Sequence, residues 1–284
     1  MEYSANFKDL IACVVMYEQA IEKCITLNSL NKSLKNQFYL DVILYDNSTV
    51  KRENIINFKT LFNNLNIHYI TDPSNPGVSK AYNEAAKMAE TAGKKWLILF
   101  DQDTDIHESF IMHVLFNIQR HPCIQLFCPI IKSNNIIISP VFVSSIWQKP
   151  QISITPGTGI QLTKNFTLIN SGVVISCDEF KLLGGYDEDL KLDFSDHYFF
   201  YKYKKRNKFF YVLPVINNHN LSSFFENDKQ KVLKRFSIYY QASLNYSFKI
   251  KNMFPVFWAF LRGVKLAWQY KSFSFLKYSI IPKK

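Results

Sequence analysis

Residues 96–104 read WLILFDQDT, a short apolar run followed directly by a polar cluster. An apolar run of this length without helical spacing is typical of a strand that is buried on both faces of a sheet. Asp101 and Asp103 then lie two residues apart where the strand ends, so both carboxylates can project from the carboxyl edge of the sheet. The stretch predicts a buried central strand with a polar site at its end.

Three similar apolar segments precede this one, and stretches with helical spacing separate them. The predicted strands are Leu10–Met16, Leu40–Tyr45, Ile67–Ile70 and Trp96–Phe100, and the predicted helices are 19–35, 52–64, 78–92 and 107–120. Strict alternation of strand and helix predicts βαβ units, so the expected fold class is α/β: a Rossmann-like, mostly parallel sheet flanked by helices. In such sheets, ligands bind beyond the carboxyl ends of the strands.

The pattern changes after residue 122. Further strands are predicted at 124–130, 136–143, 168–175 and 208–216, with helices at 194–206, 228–248 and 254–271. We interpret residues 1–225 as one α/β domain and residues 226–284 as a helical, basic C-terminal extension, since no linker divides the chain elsewhere.

Charge also divides the chain. The net charge is +11, but residues 1–201 carry 17 Lys and Arg against 21 Asp and Glu, whereas residues 202–284 carry 17 against 2. A basic segment of this kind indicates contact with an anionic surface, either a lipid leaflet or nucleic acid, unless it is only a solvated face.

The composition of the C-terminal tail favours a lipid leaflet over nucleic acid as the anionic surface. From Phe254 to Lys284 there are nine Phe, Trp or Tyr residues, six Lys or Arg, and no acid. On a helix, one face would carry Phe257, Phe260, Leu261, Val264 and Trp268. Such a helix can lie in the surface of an anionic membrane, although a core-packing helix with a basic rim would show the same pattern.

Cysteine usage and hydropathy indicate the compartment. The five cysteines are odd in number and form no Cys-x-x-Cys pair, so neither a disulfide framework nor a zinc site is predicted. The N-terminus lacks the features of a signal peptide, and no apolar segment reaches the roughly 20 residues that span a bilayer. We expect a cytoplasmic protein that is peripheral on the inner face of the cell membrane.

The end of the fourth predicted strand is the strongest candidate site. Asp101 and Asp103 can hold Mg²⁺ or Mn²⁺ together with the oxygens of a diphosphate, because hard divalent cations prefer oxygen ligands. His219, after the predicted strand at 208–216, is a candidate third ligand, although a lone histidine is more often structural.

Other strand ends carry candidates for nucleotide binding. Tyr17 follows the first strand. Asp46 follows the second, where its carboxylate can accept hydrogen bonds from a base or ribose, or can be an ordinary turn residue. In Asn75-Pro-Gly77 the glycine allows an anion to approach the backbone at the start of the next helix, and Asn83 lies further along that helix.

Asp193 and Asp196 open the predicted helix at 194–206. A carboxylate at a helix start is stabilised in its ionised form by the helix dipole. It can serve as a general base on a hydroxyl group if its neighbours place it correctly. One of the two acids can instead be a helix cap.

The order of these motifs resembles the inverting GT-A-fold glycosyltransferases of family 2, and more narrowly their bacterial rhamnosyltransferase branch. The resemblance spans residues 9–245 and rests on Asp46, Asn75-Pro-Gly, Asp101-Gln-Asp-Thr, Asn170-Ser-Gly, Gly184-Gly-Tyr-Asp-Glu and Asp193-Phe-Ser-Asp. It implies a metal-dependent, inverting hexosyltransferase that moves a sugar from a dTDP- or UDP-linked donor to a lipid-linked or cell-surface polysaccharide acceptor.

The resemblance also implies a role for each motif residue. With Tyr17 from the strand-end pattern, the nucleotide-sugar site would be lined by Tyr17, Asp46, Asn75, Gly77, Asn83 and Asp101, with Asn170, Ser171 and Gly172 bordering the sugar and acceptor. Asp101, Asp103 and His219 would hold Mg²⁺ or Mn²⁺, and Asp196 would be the catalytic base. Nucleic acid is not an expected partner.

Two positions depart from the family pattern. Tyr198 and Phe199 stand where the family usually has an acid followed by Trp, and a late Arg-Asn pair is missing around Ser243–Asn245. Three alternatives stay open, the first permitted by the Tyr198 departure and the last suggested by the basic residues 202–284. They are a relative that binds nucleotide sugars without catalysis, a galactofuranosyl or other hexosyl transferase of the same fold, and a non-catalytic basic protein that binds membrane or nucleic acid.

Overall fold

The computed structural model describes residues 7–34, 38–50, 57–144, 146–151, 156–219 and 228–280. Its strands are β1 Leu10–Met16, β2 Leu40–Asp46, β3 Leu65–Thr71, β4 Trp96–Asp101, β5 Thr104–Asp105, β6 Leu126–Ser133, β7 Ile136–Ser139, β8 Val141–Val143, β9 Pro150–Gln151, β10 Gly159–Leu162, β11 Phe166–Thr167, β12 Val173–Ser176 and β13 Phe209–His219. Its helices are α1 Ile25–Ser33, α2 Phe58–Leu61, α3 Val78–Thr91, α4 Phe110–Arg120, α5 Cys177–Leu182, α6 Ser195–Arg206, α7 Lys229–Ile250, α8 Phe254–Gln269 and α9 Ser274–Ile280.

One large sheet organises the molecule, with strand order β10-β13-β6-β12-β4-β1-β2-β3. The four strands of the first half are parallel, and Val14 of β1 pairs with Leu44 on one side and Phe100 on the other. The second half adds β12 antiparallel to β4, and β6 and β13 beyond it. The α/β class and the flanking helices are confirmed, and the added strands make the sheet a mixed one.

Both faces of the sheet are buried, which explains why its central strands are apolar without alternation. Leu10, Ala12 and Val14 of β1 face one core, which α1 and α4 cover. Ile11 and Cys13 face the other, which α3 and α5 cover. Because side chains alternate along a strand, each run such as LIACVVM supplies both cores, at roughly 1.5–3 kcal/mol for each large side chain buried.

Several elements differ from the sequence prediction. The strand predicted at 168–175 is shortened to β12, because the backbone turns at Gly172, which has a φ of +83°. The helix predicted at 19–35 is a 3₁₀ turn at Ile21–Lys23 followed by α1. Of the helix predicted at 52–64, residues 52–56 lie outside the described residues, and the described remainder contains only the short helix α2. The short elements β5, β9, β10, β11, α5 and α9 were not predicted.

The C-terminal helices pack against one another and against the α/β part. Phe236, Ala259 and Phe275 from α7, α8 and α9 share one apolar cluster. Tyr246 of α7 also packs with Leu190, which precedes α6. Of the helices in the described part of the chain, none is both long and apolar enough to cross a membrane.

Candidate active site

A cleft of about 970 Å³ opens at the carboxyl ends of β1 and β4. Eight of the residues predicted from the sequence line it: Tyr17, Asn75, Gly77, Asp101, Asp103, Asn170, Asp196 and His219. They come from the first strand, the loop before α3, the end of β4, the turn before β12, the start of α6 and the end of β13. Residues far apart in sequence therefore meet where the α/β prediction expected a ligand.

Asp101 ends β4 and is held from two sides. The hydroxyl of Tyr82 donates to its Oδ1 at 3.1 Å, and the hydroxyl of Ser171 donates to its Oδ2 at 2.8 Å. Ser171 was predicted to border the sugar, but it is buried and does not line the cleft. Its place in the site is behind Asp101, where it orients the carboxylate.

The neighbouring Gly172 also lies behind the cleft wall. Its φ is +83°, and an added Cβ would come within 2.7 Å of Pro129 Cγ. Its amide donates to the carbonyl of Leu99 at 2.7 Å. The glycine therefore allows the turn before β12 to approach β4 closely, and it is not among the residues that line the cleft.

Asp103 lies beside His219 because the short strand β5 pairs with the end of β13, where His219 faces Thr104. His219 Nδ1 is 3.4 Å from Asp103 Oδ1 and 3.1 Å from Thr104 Oγ1. Burial raises the pKa of Asp103 to about 6, and the charge of Asp101 adds to this effect while that of His219 opposes it.

These side chains fit a divalent cation in part. Within the described ranges, no three His, Cys, Asp or Glu side chains are grouped so as to hold a metal on their own. Asp101 already accepts two hydroxyl donors, which leaves Asp103 and His219 as the nearest pair. A carboxylate and an imidazole suit Mn²⁺ or Mg²⁺ when a diphosphate and water supply the remaining oxygens.

The side chain of Gln102 ties the ends of β1 and β4 together. The amide of Tyr17 donates to Gln102 Oε1 at 2.8 Å, and Gln102 Nε2 donates back to the Tyr17 carbonyl at 3.2 Å. Gly77, just before α3, has a φ of +96°, and an added Cβ would collide with the carbonyl of Lys191. The loop 75–77 therefore packs directly on the segment that leads to Asp196.

Two further predicted ligand contacts, Asp46 and Asn83, do not line the cleft. Asp46 is 1% exposed, and its carboxylate accepts from the Tyr69 hydroxyl at 2.8 Å and from the Ser48 amide at 3.0 Å. Asn83 exchanges hydrogen bonds with the backbone of Tyr186, which fixes the turn after α5. Both side chains are occupied by structural partners that the sequence does not show.

Asp196 lies in the first turn of α6, which begins at Ser195. Its Oδ1 accepts from the His197 amide at 2.7 Å. Burial raises the pKa of Asp196, and the charges of Asp101 and Asp193 add to this effect while His197 opposes it. A carboxylate with a raised pKa is a stronger base, which suits removal of a proton from a hydroxyl group.

Asp193 is differently placed, although it lines the same cleft. Its two carboxylate oxygens accept from both terminal nitrogens of Arg235, with Nη2 to Oδ1 at 2.7 Å. A carboxylate whose two oxygens both accept from one guanidinium group is held in that pair and is not free to receive a proton from an acceptor hydroxyl. The geometry therefore favours Asp196 over Asp193.

The remaining wall comes from parts of the chain that the sequence prediction did not use. Arg235, Tyr239 and Tyr246 of α7 line the cleft, as do Pro255 and Trp258 of α8. The three α7 residues are spaced by four and seven, so they share one helix face. That spacing was the only sequence signal for them. Asn170, which was predicted, accepts from the buried hydroxyl of Tyr186 at 2.5 Å.

Comparison with known proteins gives three findings. The model of glycosyl transferase family 2 matches residues 11–170. The chain is similar to dTDP-rhamnosyl transferase RfbF of Shigella flexneri, with 27% identity over 205 residues that cover 66% of this chain. It spans about 60% of the length of that relative.

Among solved structures, the chain is similar to S. aureus TarS 1–349, with a TM-score of 0.54 and 19% identity over 83% of this chain and 64% of that one. It is also similar to GalNAc-T7 solved with UDP, GalNAc and Mn²⁺, with a TM-score of 0.59 and 14% identity over 81% of this chain and 47% of that one. At these identities the likeness concerns the fold.

Proposed function

The chain belongs to glycosyl transferase family 2, and from this premise we propose that it moves a hexosyl group, rhamnose in the first instance, from a dTDP- or UDP-linked donor to a hydroxyl of a lipid-linked or cell-surface polysaccharide. One observation carries the proposal: Asp196 and the Asp103–His219 pair line the same cleft. The name of the Shigella relative, dTDP-rhamnosyl transferase, supports rhamnose and dTDP. UDP and Mn²⁺ in the GalNAc-T7 structure support the alternative nucleotide and the metal.

The proposed reaction is a single displacement with inversion at the anomeric carbon. Asp196 removes the proton of the acceptor hydroxyl, and that oxygen forms a bond to the anomeric carbon. The bond from the same carbon to the donor phosphate breaks on the opposite face, and its electron pair leaves with the nucleoside diphosphate. Mg²⁺ or Mn²⁺, held by Asp103 and His219 with Asp101 behind them, would neutralise the departing diphosphate.

We place the nucleotide at the end of the cleft formed by Tyr17, Asn75 and Gly77. The acceptor then approaches from the side of α6, α7 and α8. This placement is supported by Asp196, the proposed base, which lines the same cleft from the first turn of α6. It also gives α7 and α8 a part in the site, because side chains of both helices line the cleft.

We further propose that the enzyme binds the anionic inner face of the cell membrane through α8. The apolar face of this helix is exposed: Phe257 is 46% exposed and Trp268 is 85% exposed. Residues 202–284, which include α8, also carry the excess positive charge of the chain, with 17 Lys and Arg against 2 acids. Exposed aromatic rings beside cations suit the headgroup region of an anionic leaflet, where a lipid-linked acceptor would be found.

The test is a transfer assay with purified full-length protein. dTDP-rhamnose, UDP-glucose, UDP-galactose and UDP-N-acetylglucosamine are offered with Mn²⁺ and lipid-linked acceptors, and the configuration of the product is read by NMR. An inverted product from one of these donors is expected. Nucleotide binding without turnover of any donor would contradict the catalytic proposal, and a product with retained configuration would contradict the role of Asp196.

A further inference from the structure

The backbone that delivers Asp196 to the cleft is in an unfavourable conformation. Phe194, two residues earlier, has a φ of +64°, in the left-handed region that residues other than glycine rarely adopt. Phe194 directly precedes α6, so its conformation sets the direction in which the helix and Asp196 enter the cleft. A residue in this region persists only where its surroundings hold it.

The C-terminal helix α7 holds this turn by two independent contacts. Arg235 forms the bidentate pair with Asp193, directly before Phe194. The ring of Phe194 stacks on Tyr246, with ring centroids 5.1 Å apart and planes at 17°, and packs against Tyr239 at 5.3 Å. The side chain of Asp193 is 15% exposed and that of Arg235 is 43% exposed, so the ion pair is partly shielded from water.

The ion pair between Arg235 and Asp193 also affects the electrostatic environment of Asp196. The titratable groups that face Asp196 are His197 on its own helix, Asp193 before it, Asp101 at the end of β4, and the hydroxyls of Tyr186 and Tyr246. Asp193 is a carboxylate like Asp196, so it disfavours ionisation of the base unless a cation compensates it. Arg235 supplies that cation.

We propose that Arg235 is a positioning residue for Asp196, which fixes the Asp193–Phe194 turn and neutralises Asp193 so that Asp196 acts as a single base. The mechanical part of the proposal concerns the fold alone. The catalytic part rests on the proposed function, in which Asp196 removes the acceptor proton. The two parts are tested by different measurements.

Hydrogen exchange tests the mechanical part without any substrate. In Arg235→Met, the amides of residues 193–197 are expected to exchange about 10-fold faster than in the wild type, because local opening of the turn becomes easier. Lys234→Met is the matched control: it removes the same charge from the exposed neighbouring position of α7. Equal exchange of these amides in Arg235→Met, Lys234→Met and wild type would overturn the proposal.

The pH profile of dTDP-rhamnose turnover tests the catalytic part. In Arg235→Met the uncompensated Asp193 should move the acidic limb of kcat/KM to higher pH by about 0.5–1 unit, because Asp196 must be ionised to act. Arg235→Lys keeps the charge and should leave the limb in place while lowering the rate. Adding Asp193→Asn to Arg235→Met should return the limb to its original position.

The outcomes separate this inference from the proposed function. An acidic limb that stays in place in Arg235→Met, with the wild-type enzyme active, would overturn the charge role of Arg235 and leave the proposed function standing. If the wild type turns over none of the donors offered, the proposed function fails, and hydrogen exchange still decides whether Arg235 holds the turn.

Discussion

His219 Nδ1 lies 3.4 Å from the carboxylate of Asp103, although the two residues are far apart in sequence. The contact exists because β5, only two residues long, pairs with the last residues of β13. This pairing brings an imidazole to the end of the parallel strand β4, beside the carboxylate of Asp103. The proposed metal site would therefore take one ligand from the residues after β4 and the other from the end of β13.

The first prediction concerns this pair. Asp103→Asn keeps the shape of the side chain and removes its charge, so Mn²⁺-dependent binding of dTDP or UDP should weaken by more than the roughly 10–100-fold that outer-shell changes cause. Calorimetric titration with and without Mn²⁺ measures the effect. Asp105→Asn, on an exposed residue of the same short strand, is the control and should bind like the wild type. Metal-dependent binding that survives in Asp103→Asn would rule out this ligand.

The second prediction separates chemistry from binding. Asp196→Asn should keep donor binding while transfer falls by roughly 10²–10⁴-fold, the usual contribution of a general base. Asp178→Asn removes an exposed acid far from the cleft and should transfer at the wild-type rate. If Asp196→Asn remained active, Asp193 would be the next candidate, and Asp193→Asn would then abolish transfer.

The third prediction uses the direction of the pKa shift. Burial raises the pKa of Asp196 above that of the unfolded chain. The folded protein therefore binds this proton more tightly, so stability from this group is complete at low pH and is lost as pH rises through the folded pKa. At pH 7.5 Asp196→Asn should melt at the same temperature as the wild type or higher, and at low pH the advantage should disappear. A lower melting temperature at pH 7.5 would show that the carboxylate stabilises the fold.

The fold could be predicted in most of its first half because apolar strand runs and helical spacing are both local features of the sequence. β1 has the predicted bounds, and β4 extends the predicted strand by one residue. An unbroken apolar run is enough to identify a strand buried on both faces. The later strands β5, β9 and β11 have two residues each and exist only through their pairing, so no local pattern marks them.

The site residues also divide into those that a local sequence pattern marks and those whose position depends on tertiary packing. Asp101 and Asp103 were found because they follow a strand, and the end of a strand is a local feature. Asp46 ends a strand as well, but its carboxylate is buried and accepts from the hydroxyl of Tyr69 on the neighbouring strand. Arg235 was missed because its role depends on Asp193, 42 positions earlier, and only the packing of α7 brings the two together.

The fourth prediction concerns Gly77. Its φ of +96° and the carbonyl of Lys191 leave no room for a side chain, so Gly77→Ala must push loop 75–77 away from the segment before α6. Donor binding should weaken at least about 10-fold, because the cleft wall moves and a misplacement of about 1 Å is enough to have a large effect. Gly93→Ala is the matched control: its φ is +67° but it has open space around it, so it should cost only about 1–2 kcal/mol of backbone strain without affecting binding.

The last prediction concerns membrane binding by α8, which is better tested by substitutions than by deletion of the C-terminal helices. Ala259 of α8 and Phe275 of α9 are completely buried, so deleting residues 254–284 would expose the apolar face of α7. Substitutions on the exposed face avoid this damage. Phe257→Ser together with Trp268→Ser should release the protein from vesicles that contain phosphatidylserine, while dTDP or UDP binding and the melting temperature stay unchanged.

Phe116→Ser is the control for this pair, because Phe116 is 57% exposed on α4 and should not affect sedimentation with vesicles. Charge should contribute separately. Lys265→Gln and Lys271→Gln should each weaken binding by about 1 kcal/mol on vesicles with phosphatidylserine and by much less on neutral phosphatidylcholine, because the attraction depends on the surface potential. High salt should reduce the difference between the two vesicle types by screening. If the Phe257 and Trp268 double variant sediments with anionic vesicles as completely as the wild type, α8 is not the membrane-binding face, and its apolar surface must contact something else.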